Sequence, residues 1–160
     1  PLVLEKFPDA RFVIVGAGPG YEEIKERSRA PELQEAVTVT GHREDIPEIV
    51  SAMNILVLAS FAGEGTSQVI PQAFAMKTPV VATRGGSIPE LFDDGERGVL
   101  ADIKSGKSLA DGIVKLLQNP EWAKELAENA YDYCRRELTW DRKMDQTLKV
   151  YRDVLGASLK

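Results

Sequence analysis

Glu64 stands between two glycines in the stretch Gly63-Glu64-Gly65-Thr66-Ser67, and Gln72 follows eight residues after it. An apolar run at residues 55–59 precedes the stretch and reads as a buried strand. A second apolar run, at residues 68–76, reads as a short helix. A glycine-bracketed carboxylate therefore falls where a strand hands over to a helix. In an open α/β sheet that place is the carboxyl edge, where ligands bind. The glycines allow close backbone approach to a ligand. Thr66 and Ser67 are natural N-cap residues, and the free amides of a helix start attract anions. Together these residue types suit a ligand with a phosphate end and a hydroxyl-rich end. They also suit a plain strand-to-helix turn in which Glu64 offsets the positive end of a helix.

Three further loops fall at the same edge. Gly16-Ala17-Gly18-Pro19-Gly20 leaves the first strand. It resembles a dinucleotide fingerprint, but the third glycine would fall at Tyr21, and Glu35 lies before the next strand rather than at its end. A nicotinamide site is therefore disfavoured, and a phosphate- or ribose-adjacent turn and a simple tight turn both stay open. Gly41-His42 closes the second strand, either as a loop against a nucleotide base or as an ordinary strand exit with an exposed His. Arg84-Gly85-Gly86-Ser87 follows the fourth strand and could close over a substrate or serve only the next turn. Asp93 and Asp94 read as turn formers rather than catalysts. Trp122, Tyr131, Tyr133 and Trp140 read as core or interdomain packing.

These loops need a scaffold. Strands are expected at 11–15, 37–40, 55–59, 79–83 and 97–101. Helices are expected at 21–29, 45–52 (with Asp45 as cap), 68–76 and 88–92. Strands alternating with helices predict a Rossmann-like open parallel sheet with flanking helices, the first strand apolar on both faces. After that the period changes. Helices at 108–118, 121–137 and 140–155 follow in succession, Thr139 being the expected cap of the last. This helical tail is expected to pack across the sheet or against another part of the protein.

Composition narrows the function classes. The 160 residues are 43% hydrophobic and 28% charged, enough for one domain with a real core. A net charge of −5 gives no reason to expect nucleic acid as partner. No apolar run approaches the roughly 20 residues of a membrane span. A single Cys134 makes no internal disulfide, and one His with one Cys builds no zinc cage. A cytoplasmic setting is expected. The absence of an initiator Met, and a start that reads as the tail of a helix, suggest a fragment cut on its N-terminal side.

The ordered set Gly16-Ala-Gly18-Pro, Val-Thr-Val-Thr-Gly41, Glu64-Gly65 through Gln72, Pro79-Val-Val-Ala-Thr83, Gly86-Ser-Ile-Pro89-Glu90 and Gly98-Val-Leu resembles the C-terminal half of GT-B-fold retaining glycosyltransferases, group 1 or family 4 type. The resemblance covers nearly the whole chain and includes Trp140 at the opening of the last helix.

The resemblance implies one half of a GT-B fold, with residues 1–160 as a single donor-binding domain. A facing acceptor domain and the first strand of this domain would lie outside the chain, and residues 139–160 would pack against that missing half. It implies a nucleotide-sugar donor, a sugar, lipid or small-molecule acceptor, and no metal or other cofactor. Glu64 matches the first Glu of the family's E-x7-E motif and would be catalytic, contacting donor hydroxyls near the reacting carbon. Gly65, Thr66 and Ser67 would hold the diphosphate and sugar. Gly16, Gly18, Gly41 and His42 would also bind the donor. The second Glu of the motif, a ribose ligand, is Gln72 here. An amide still bonds a diol but loses the charge-assisted strength of a carboxylate. Lys77 stands where the family often has a helix-ending glycine, and Ser87 replaces one of a glycine pair. The family's leaving-group Arg and Lys would precede this stretch, and peripheral attachment of the full-length protein at the inner membrane face stays open. The rival readings are a nucleotide-sugar epimerase of the same fold and a non-catalytic interaction domain with a decayed site.

Overall fold

A computed structural model describes residues 1–60 and 67–156 of the chain. Along it run β1 (Phe12–Val15), α1 (Tyr21–Arg27), β2 (Val37–Gly41), α2 (Ile46–Ser51), β3 (Leu56–Leu58), α3 (Val69–Ala75), β4 (Val80–Thr83), α4 (Ile88–Phe92) and β5 (Val99–Ala101). The tail is α5 (Gly106–Gln118), α6 (Pro120–Glu137) and α7 (Trp140–Leu155). The alternation and the order match the expected α/β class.

Every ladder is parallel. β1 pairs with β2, and β3, β4 and β5 pair in sequence. The strands form two sheets, β1-β2 and β3-β4-β5. Both are tied to one core at their N-terminal ends. Phe12, heading β1, and Ile55, just before β3, pack on the cluster of Val3, Val81, Leu116 and Leu126.

β4 is the centre of the larger sheet: Val80, Val81 and Ala82 are fully buried. One face carries α3, α4 and α6 through Ile70, Phe74, Ile88, Phe92 and Ala130. The other carries α5 through Ile113 and Val114. Full burial of each large side chain contributes about 1.5–3 kcal/mol. β1 departs from its expected two-sided burial, because Val13 is 46% and Ile14 38% exposed. A parallel strand gains full cover only when layers close over both faces, and residues of the described chain leave these two side chains partly open.

Side-chain caps fix the starts of α5 and α7. The Ser105 hydroxyl accepts from the Ser108 amide at 3.1 Å. That moves the start of α5 ahead of the expected residue 108. Thr139 caps α7 as expected, accepting from the Arg142 amide. Asp45 sits at the N-cap position of α2 but makes no side-chain cap. Its carboxylate is taken by the Arg43 guanidinium instead. Asp93 and Asp94 form a left-handed turn (φ 48° and 52°) after α4, as turn formers should. No residue of α7 is buried, and Trp140 is 74% exposed. The core reading of Trp140 therefore does not hold within the described chain.

α3 ends in a left-handed cap built on a lysine. Lys77 has φ 55°. The Thr78 amide donates to Ala73 O at 2.9 Å and the Lys77 amide to Phe74 O at 3.1 Å, the bond pattern of a Schellman motif. The Lys77 ammonium lies 2.7 Å from Glu128 and 4.5 Å from the centre of the Tyr131 ring. The hydrogen bond to Glu128 raises the lysine's pKa. Lys77→Gly is expected to be more stable than Lys77→Ala by about 1 kcal/mol, because both lose the tether and only alanine keeps the backbone penalty. Urea midpoints of the two variants measure it.

Candidate functional site

The exits of β1 and β2 meet directly. Pairing shifts after Ile14 so that Val15 lies opposite Gly41. The Gly16 amide then donates to Gly41 O at 2.8 Å. Gly16 has φ +139° and Gly41 φ +76°, so each turn uses backbone that a side chain would strain. Two of the residues singled out in the sequence are thus brought together by one hydrogen bond. Gly18 is different. Its φ is not in the left-handed range, and a Cβ built there meets nothing within 4 Å. Nothing inside the described chain demands glycine at 18.

Tyr21 opens α1 with its ring against Gly41, 3.7 Å from where a Cβ would stand. It braces the two turns, and the sequence reading did not single it out for this. An aromatic directly after a glycine run is the signal that could have done so. Glu22 and Glu23 occupy the first turn of α1. They already offset the positive end of that helix, so a phosphate there would meet two carboxylates. Beside these turns lies a cleft of about 310 Å³, lined by Ile14, Gly16, Gly18, Tyr21, Ile24 and Val39.

Gly41 is buried and His42 is exposed, its edge open to solvent. Arg43 follows, paired with Asp45. The hydrogen bond between them raises the Arg43 pKa and lowers that of Asp45.

The second group lies beyond β3. Glu64, Gly65 and Thr66 fall outside the described residues. Ser67 is buried, at 8% exposure. It does not cap α3: Gln68 holds the N-cap position with helical dihedrals and no side-chain cap. The expected capping role of Ser67 is corrected accordingly, since the helix begins one residue later than the cap geometry of Ser67 would need. Gln72 is exposed on α3, its amide bonded to Gln68 O at 3.3 Å. After β4, the Arg84 guanidinium lies 3.8 Å from the Asp102 carboxylate, and its amide donates to Ala101 O at 2.9 Å. Both contacts draw Arg84 toward β5.

Residues 1–119 match the family described as glycosyl transferases group 1. Alpha-D-kanosaminyltransferase of Streptomyces kanamyceticus is 30% identical over 148 residues, covering 91% of this chain and 38% of that protein. The chain thus spans well under half of that relative. Among solved structures, the C-terminal domain of a glycosyl transferase group 1 family protein from Francisella tularensis is 28% identical with a TM-score of 0.77, covering 87% of this chain and 75% of that one. Anabaena HepE in complex with UDP has a TM-score of 0.80 at 24% identity, over 93% of this chain and 44% of that one. At that identity the likeness concerns the fold. Among the described residues, no helix is long and apolar enough to cross a membrane. The chain belongs to the glycosyl transferases group 1 family and has the fold of that family's C-terminal domain.

Proposed function

We propose that the chain is the donor-binding domain of a retaining hexosyltransferase that moves a sugar from a nucleoside diphosphate to an acceptor. The observation that supports it best is the Gly16–Gly41 hydrogen bond. It joins two turns, both of which the family resemblance assigns to the donor site, at one edge of a sheet. Gly18, glycine without an internal requirement, is consistent with close approach of a ligand from outside. HepE carries UDP in its crystal structure, and a uridine nucleotide is the first donor to try.

In this reading Glu64 holds hydroxyls of the donor sugar and favours positive charge developing at the anomeric carbon. Amides at 65–67 hold the diphosphate, and Gln72 bonds the ribose. Leaving-group charge is met by the helix start after Gly65 and by the family's Arg and Lys, which would precede this stretch. The reading also gives the open apolar side chains of β1 and α7 a purpose. A further parallel strand and helix cover Val13 and Ile14, and the stripe of Trp140, Met144, Tyr151 and Leu155 meets the acceptor-side half. No metal is called for.

The test is transfer by the full-length chain, with product analysis. A sugar–acceptor conjugate of retained anomeric configuration supports the proposal. A free epimerised sugar or sugar nucleotide would assign the epimerase reading instead. No turnover of any donor would favour the interaction domain.

A further inference from the structure

The ladder between β3 and β4 ends at Leu58 opposite Ala82. One step further, Thr83 is 4% exposed at the end of β4. Its hydroxyl donates to the carbonyl of Ser60, with Leu58 O at 3.4 Å as a second, weaker acceptor. Ser60 is the residue from which the 61–66 stretch begins. Gly85 closes the same spot from the other side. Its amide donates to Thr83 O at 2.8 Å, and a Cβ on it would stand 3.3 Å from the Ser60 carbonyl oxygen. A buried hydroxyl thus takes over where backbone pairing stops and carries β3 two residues past its ladder.

We infer that Thr83 is a positioning residue: its hydroxyl, with Gly85 packed alongside, fixes the Ser60 carbonyl and so sets the point and direction from which the segment bearing Glu64 leaves the sheet. The inference rests on the reading of Glu64 as a donor-site residue. Thr83 does not touch the substrate. It acts through the peptide of Ser60, four residues before Glu64 in the sequence. Ångström-scale misplacement of a reacting group costs up to about a hundredfold in rate.

Thr83→Val removes the hydroxyl and keeps the branched shape that fills the space. Thr83→Ser keeps the hydroxyl and loses the methyl. In the full-length chain, Thr83→Val is expected to lower kcat by roughly ten- to hundredfold with donor KM little changed. Thr83→Ser is expected to return most of the rate despite its smaller side chain. Wild-type kcat in Thr83→Val overturns the inference. So does a loss matched by Thr83→Ser, which would mark a packing effect. Hydrogen exchange gives a readout independent of turnover. Thr83→Val, and not Thr83→Ser, should speed exchange in residues 59–67 while Val80 to Ala82 stay protected. If the wild-type chain transfers no sugar, the proposed function fails, and this exchange pattern alone decides whether the hydroxyl is an anchor. Unchanged exchange at 59–67 overturns it.

Discussion

Glu64→Ala in the full-length protein is expected to lower sugar transfer by about 10²–10³-fold, with Glu64→Gln falling between it and the wild type. The argument is electrostatic. A carboxylate beside an anomeric carbon gains in strength as positive charge develops there, and removing one such preorganised group costs about 10²–10³ in kcat. Glutamine keeps hydrogen bonding to the sugar hydroxyls and loses only the charge. The loss should therefore fall on kcat more than on the KM for the donor. Initial rates of conjugate formation measure the effect. Transfer by Glu64→Ala at the wild-type rate would remove Glu64 from the site.

Gly98→Ala is expected to cost a large part of the fold's stability. Gly98 enters β5 with φ +154°, where a side chain strains the backbone. A Cβ there would stand 2.6 Å from Cε1 of Phe92 and 2.8 Å from Val80 O. Neither neighbour can yield. Phe92 is fully buried, edge-on to Phe74 with ring centres 6.0 Å apart. Val80 belongs to the central strand. Overpacking costs about 1–3 kcal/mol, and left-handed backbone adds about 1–2 kcal/mol. A combined loss of about 3 kcal/mol or more should show as a much lower denaturation midpoint. Gly18→Ala is the control. It meets no neighbour within 4 Å and should leave the midpoint almost unmoved.

That contrast also shows what could be read before the structure. Gly98 and Gly18 look alike as letters. Only packing tells that one is required by Phe92 and the other by nothing among the described residues. Four strands were legible as short runs rich in apolar residues and β2 as an alternating Val-Thr run closed by Gly41, and the parallel class followed from their alternation with helices. Thr139 was legible because a hydroxyl before a long amphipathic helix has one strong local use. Asp45 was misjudged because its carboxylate had two local uses, and the guanidinium two residues away outcompeted the helix amides. The capping assignment of Ser67 failed for a related reason: Gln68 takes a helical conformation with no hydroxyl to fix the boundary. The division into two sheets was not legible at all. Periodicity says that β1 is a strand but not which strands flank it. Exposure of Val13 and Ile14 is a property of the neighbours, not of the run itself. The bond from Gly16 to Gly41 depends on a register shift that no local pattern announces.

The most direct measurement is an amide chemical-shift titration with UDP, GDP and ADP, and then with their sugar conjugates, on this chain and on the full-length protein. The account predicts saturable shifts with one nucleotide, clustered at residues 16–20, at Gly41 and His42, and from Ser67 to Gln72, with the sugar conjugate extending them toward residue 64. The responding nucleotide names the base. Shifts confined to α6 or α7, or none at millimolar nucleotide in the full-length protein, would contradict the assignment of this domain as the donor site.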